Sequence, residues 1–256
     1  MGKYKILLVS LPLALTVVLA KIAINALGWE PFSPTMMPIF TASVTGIIFL
    51  LGFILAGVMT DYKESEKIPA EMAVSLYAIW QEMEVAARGP AGEKARRFQG
   101  KLVAFIETFR VKTLLRHDDA AAFDLLDSFS DDIAALDKDV PPPFMARIRN
   151  EQAILRRFLT RIKVIRTTDF AASVSILVKG IVAFFIISML LLRFDPHYIG
   201  LFFCFFYSFI LLSILRVIRD MDDPFEYEEG KEPVDEIDFF PLWDLGEEMR
   251  RKLENA

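Results

Sequence analysis

Residues 38–60 contain no charged side chain. As a helix, at about 1.5 Å per residue, this run spans roughly 34 Å, and the hydrocarbon core of a bilayer is about 30 Å thick. The rest of the chain has to be arranged around a segment of that kind. Its composition is not that of a plain anchor. Gly46, Gly52 and Gly57 leave room for another backbone to approach. Thr45, Phe49 and Phe53 are spaced by four and fall on one face. Small residues together with an aromatic stripe predict an assembled bundle in which this helix lines a pore.

The chain is 54% hydrophobic over 256 residues, and its apolar residues come in blocks, unlike those of an ordinary soluble domain. The net charge is −5 and is uneven. Acidic residues dominate from Arg219 onward, and the remainder is weakly basic. An acidic tail on such a body argues against nucleic-acid binding, which needs a strongly basic face. Cys204 is the only cysteine, which excludes an intramolecular disulfide and a cysteine-based zinc site.

Four apolar blocks follow in order. The first covers residues 6–27, preceded by Lys3 and Lys5. A cleavable secretory signal is the rival reading here, since Val18-Leu19-Ala20 fits its cleavage pattern. A retained helix is preferred, because the apolar run resumes after Lys21, whose side chain is expected to snorkel to an interface. The second block is 38–60, the third 170–192 with Lys179 as its only charge, and the fourth 198–215, closed by Arg216 and Arg219. Between the second and third blocks, a helical pattern covers 63–88, 91–116, a stretch capped by Asp118 or Asp119 running to about Leu136, and a basic stretch from about Phe144. His117-Asp118-Asp119 is read as a helix start rather than a metal site.

The fold class expected is therefore an all-α membrane protein. It has four transmembrane helices and a cytoplasmic helical domain between the second and third. The boundaries are 1–60, 61–168, 169–218 and an acidic tail, 219–256. Lys3, Lys5, Lys63, Lys67, Arg161, Lys163, Arg166, Arg216 and Arg219 flank the apolar blocks on one side, against Arg193 alone on the other. The positive-inside rule places both termini and the helical domain in the cytoplasm.

Two short motifs carry a family likeness. Leu51-Gly52-Phe53 lies within the second block, and Asp223-Pro224-Phe225, followed by acids, comes after the fourth. With Gly52–Gly57 and Glu66-Lys67-Ile68-Pro69-Ala70-Glu71, this layout resembles the bestrophin anion-channel superfamily, especially its bacterial bestrophin-like membrane proteins. The resemblance implies a pentamer in which the second helix of each subunit lines the pore and apolar rings form a neck. Matched through Leu-Gly-Phe, Phe53 and Phe49 occupy two of those rings and Thr45 the third. Ala56 continues the same face. The family's third ring is usually apolar, so Thr45 is a departure. The aromatic run that follows the pore helix in animal bestrophins is replaced here by Asp61-Tyr62-Lys63-Glu64-Ser65-Glu66.

The site residues expected are thus Thr45, Phe49, Phe53 and Ala56 along the pore, with Lys179 as an anion contact. An ionisable group inside an apolar block is a functional candidate by default, and none of the four blocks holds an acid to pair with it. Calcium-gated animal bestrophins carry an acidic clasp after the fourth helix. Asp222, Asp223 and Glu226 stand there in this chain and could offer oxygens to Ca²⁺, although Glu226 replaces a usual glycine. A solvated acidic tail is the plainer account. No cofactor or other metal is expected. The sequence has no Walker loop, HExxH or GxSxG, so an enzyme is not indicated. The function expected is an oligomeric ion channel, anion- or chloride-conducting, whose partners are its own copies, the lipid bilayer and small inorganic ions. The alternative is a non-conducting membrane scaffold that binds a partner through cytoplasmic helix faces such as Phe105 and Phe109. A secondary transporter ranks third, because the blocks show no repeat or broken helix pair.

Overall fold

The computed structural model describes residues 5–167, 172–222, 224–225, 227 and 236–255. Among them the chain is all helical and divides into two compact units, the first from residues 1–62 and 168–224, the second from 63–167 and 225–256.

The first unit holds α1 (Lys5–Leu27), α2 (Met37–Ser65, which runs past the unit boundary), α7 (Ala172–Leu191) and α8 (His197–Asp222). All four are long and apolar enough to cross a membrane. α1 packs along α8, and α7 meets both. Val44, Leu51, Ile54 and Val58 of α2 are buried at spacings of seven, three and four, the period of a helix seam. Val178, Val182, Phe185 and Met189 of α7 repeat that period, and Cys204 and Leu211 of α8 complete the cluster. Phe40 stacks on Phe185 with ring centroids 4.6 Å apart.

The connections of this unit are built tightly. Gly28 ends α1 at φ +66°, a left-handed conformation that costs glycine little. Its N–H donates to the Asn25 carbonyl (3.1 Å) and the Trp29 N–H to the Ile24 carbonyl (3.2 Å), closing a Schellman motif. Ser33 then caps the 3₁₀ turn Pro34–Met36. Phe32 pairs with the end of α7: its N–H donates to Leu191 (3.3 Å), and its carbonyl accepts from Arg193 (2.9 Å). Gly200, in the first turn of α8, lies so close to the Phe194 ring that a Cβ there would come within 2.6 Å of it.

The second unit contains α3 (Ile68–Ala87), α4 (Gly92–Thr108), α5 (Asp119–Leu136), α6 (Pro142–Thr167) and α9 (Phe240–Glu254). Each turns one apolar face inward. Leu76 and Trp80 of α3, Phe98 and Phe105 of α4, Phe129 of α5, and Leu155 of α6 are nearly or fully buried. Phe129 packs edge-on against Phe98 at 5.1 Å. Asp118 caps α5 by accepting from the Ala121 N–H. Lys94 donates to the Ala135 carbonyl near the other end (2.9 Å) and pairs with Asp139 (2.6 Å). Glu82, nearly buried, is held by Arg147 at 2.8 Å.

Several boundaries differ from the sequence expectation. The helix predicted over 63–88 is two helices, because α2 continues to Ser65 and α3 begins afresh at Ile68. Pro69 explains the restart: without an N–H it fits only a first turn. The helix predicted over 91–116 widens into π-helical turns at Phe109–Leu115. His117, at φ +57°, stops it in the left-handed region, which histidine enters more readily than most residues. α8 runs to Asp222 rather than ending near Leu215, since Pro224 is the next helix breaker in the sequence. The beginning of the block predicted from 170 lies outside the described residues.

The acidic tail ends in a helix that was not expected. α9 buries Leu242, Leu245, Gly246 and Met249 against α3 and α4. Phe239 at its start touches Phe109, Phe225 and Trp243, with centroids 5.2–6.0 Å apart. Glu248 accepts a hydrogen bond from Lys252 one turn on and so raises the lysine pKa above its ordinary value. Phe105 and Phe109 are fully buried in this packing. They hold the core together and present no partner-binding face, contrary to the expectation.

Candidate functional site

The buried seam of α2 leaves its other side uncovered. Thr45, Phe49, Phe53 and Ala56 all lie there and are exposed in the single chain, Phe49 by 76% and Phe53 by 74%. On an ideal helix their four positions fall within about 80° of arc, so they form one stripe. The Thr45 hydroxyl donates to the Thr41 carbonyl one turn back (3.0 Å). Its donor capacity is therefore spent on its own helix, which makes the residue less polar towards the stripe than its name suggests. Gly46, Gly52 and Gly57 are also open: a Cβ on any of them would find no atom within 4 Å.

Beside this stripe an apolar groove of about 790 Å³ opens between α2 and α7. Met36, Phe40, Ile47 and Leu50 form one wall, and Leu177 and Phe184 belong to the other. The groove lies next to the exposed phenylalanines of the stripe and extends that apolar surface. Lipid, or another copy of the chain, suits it.

Lys179 is exposed on α7 and makes no hydrogen bond or ion pair among the described residues. It lines a second pocket, of about 450 Å³, together with Ser175, Arg219 and Asp222. The sequence showed no acid within the apolar blocks. The acid that comes into its pocket stands just beyond the fourth block, on the extension of α8. Of the calcium candidates only Asp222 is described, since Asp223 and Glu226 lie outside the described residues. Among the described residues no three His, Cys, Asp or Glu side chains come together as a metal site.

Two polar clusters escaped the sequence reading. Lys21 does not snorkel. It is fully buried, pairs with Glu30 at 2.8 Å, and donates to the carbonyls of Leu190 (3.0 Å) and Leu192 (2.7 Å). Its ammonium also lies 5.4 Å from the centre of the Phe194 ring. His197 approaches the other oxygen of Glu30 at 4.0 Å. Of the carbonyls that the C-terminus of α7 leaves without helical partners, those of Leu190 and Leu191 are thus satisfied, by Lys21 and by the Phe32 N–H. The available signal was that Lys21 and Glu30 are the only charges between Lys5 and Asp61. In the second unit, Arg166 donates to the Thr113 carbonyl and to Asp119 (3.0 Å each) and meets His117 Nδ1. His117 and Asp119 therefore serve to hold α6, beside the cap that Asp118 makes.

No family model and no curated protein matches the sequence. Solved structures do. A bacterial bestrophin homolog from Klebsiella pneumoniae, in two single-residue variant forms, superposes with TM-scores of 0.70 and 0.69 at 16% and 15% identity; each alignment covers 98% of this chain and 97% of that one. A crystal structure of a membrane protein aligns with a TM-score of 0.74 at 19% identity, over 94% of this chain and 96% of that one. The alignments run along almost the whole length of the chain. The fold of this chain is bestrophin-like.

Proposed function

We propose that this chain is an integral membrane protein that assembles with copies of itself around α2 and conducts small anions such as chloride. The observation that carries the reading is the stripe of Thr45, Phe49, Phe53 and Ala56, exposed beside glycines that no side chain covers. A closed ring of subunits buries these glycines at helix contacts and turns the stripe to a shared axis. Rings of Phe49 and Phe53 then form an apolar neck, which controls passage by excluding water. The bestrophin-like fold supports the same arrangement and suggests five subunits. Mass measurement of the purified protein in mild detergent, followed by halide release from liposomes, tests it. A homo-oligomer that releases halide is expected; a clean monomer counts against both the ring and the pore.

The clustering of Lys and Arg beside the apolar blocks supports a cytoplasmic second unit and cytoplasmic termini. In intact bacteria, an impermeant thiol reagent added outside is expected to leave Ser130→Cys unlabelled. Labelling from outside refutes the orientation. Ser130 is exposed on α5, so the reagent's access and not burial decides the result.

A scaffold remains the second reading, on a different surface from the one the sequence suggested. Val74, Tyr77 and Leu245 line an open groove of about 490 Å³ between α3 and α9. Oligomeric protein that conducts no tested ion would move the function there.

A further inference from the structure

The pocket that holds Lys179 has a built chemistry of its own. Lys179 sits about two turns into α7, and Arg219 and Asp222 close α8, which runs the opposite way. All three line one pocket, to which Ile54, Val178, Leu215 and Ile218 contribute apolar side chains. Neither Lys179 nor Arg219 has a hydrogen-bond or ion-pair partner among the described residues. Two cationic groups without a partner thus line the pocket, and an anion is their complement. An apolar wall adjoining that charge suits an amphiphile better than a free ion.

We propose that this pocket binds an anionic phospholipid of the phosphatidylglycerol type. Lys179 and Arg219 hold the phosphodiester, and an acyl chain lies along Ile54, Leu215 and Ile218. Ser175 can accept from a headgroup hydroxyl, which a choline headgroup lacks. A phosphodiester supplies the negative charge together with a tail for the wall, and inorganic phosphate has no tail. The position also fits. Arg216 and Arg219 belong to the basic set that marks the cytoplasmic side, so the pocket opens at the headgroup level of the inner leaflet.

The test uses the full-length protein in mild detergent. Its thermal unfolding and its native mass spectrum are followed as phosphatidylglycerol, phosphatidylcholine or inorganic phosphate is added. Phosphatidylglycerol is expected to raise the unfolding temperature and to stay bound in the mass spectrum, and the other two are not. A basic residue near an anionic bilayer surface is worth about fivefold in affinity, so Lys179→Gln with Arg219→Gln should weaken phosphatidylglycerol binding by about 25-fold. Both side chains are exposed, so the double variant should fold. Ile218→Trp, which narrows the apolar wall, should reduce lipid binding with the charges in place. Equal stabilisation by phosphatidylcholine overturns the anionic assignment. Equal stabilisation by inorganic phosphate overturns the lipid and leaves a free-anion site. An unchanged response in the double variant puts the lipid elsewhere and removes the proposal. None of these measurements depends on whether the protein conducts.

Discussion

Replacing Lys21 by methionine is expected to destabilise the first unit by about 3–5 kcal/mol, the cost of removing one partner from a buried ion pair. The ammonium has no exposed surface, and Glu30 is almost as well buried. Methionine fills much of the volume but leaves the carboxylate facing His197 alone, and it strips the carbonyls of Leu190 and Leu192 of their donor. Each such loss adds to the cost, because a buried acceptor without a partner has no water to turn to. Unfolding in mild detergent, followed by temperature or denaturant, reads the effect. Lys21→Met combined with Glu30→Gln should lose clearly less than the two single changes added together, since the double variant strands no charge. An unfolding midpoint for Lys21→Met within a degree of the parent would mean that the pair carries no weight, and strictly additive losses would mean that Lys21 and Glu30 do not act as a pair.

The second large effect is expected at the stripe on α2. Phe49→Ala with Phe53→Ala should release halide from liposomes about tenfold faster than the parent, which corresponds to a barrier lowered by about 1.4 kcal/mol. Water in a narrow aromatic ring gives up hydrogen bonds, and an ion gives up hydration. Truncating two rings one turn apart widens the path and removes that penalty. Both side chains are largely exposed in the single chain, so their loss should cost the subunit's own core little. The glycines that would carry the subunit contacts stay as they are. Ala56→Trp is the mirror change and should slow release if it extends the same face. A double variant that remains oligomeric, with release no faster than the parent's, would take Phe49 and Phe53 out of the neck.

The parts legible in the sequence are those set by local period and composition. The four apolar blocks and the cap at Asp118 follow from residues within a few turns of one another. The missed helix, α9, carried the same kind of signal: Pro241 in its first turn, then Leu242, Leu245 and Met249 on one face. An acidic count over the whole tail averages that stripe away. Other features could not be read locally. Lys21 meets Leu190 and Leu192 across 169 and 171 positions, and Arg166 meets His117 across 49. A lone lysine in an apolar helix reads the same whether it snorkels or is gripped, until the packing of α7 is known. The exposure of the α2 stripe was legible as spacing only. Which side of the helix is left bare depends on where α7 and α8 take up the other.

The grip on Lys21 also has a consequence for synthesis. Its acid partner, Glu30, follows nine positions later, whereas the carbonyl of Leu190 comes 169 positions later. At about 5–20 residues per second, Glu30 leaves the ribosome within about two seconds of Lys21, and Leu190 only after about 10–30 seconds. During that interval the ion pair is all that offsets a charge on a helix otherwise suited to lipid. In the proposed membrane arrangement, the first helix enters the bilayer with its carboxylate escort and waits for the end of the seventh to dock.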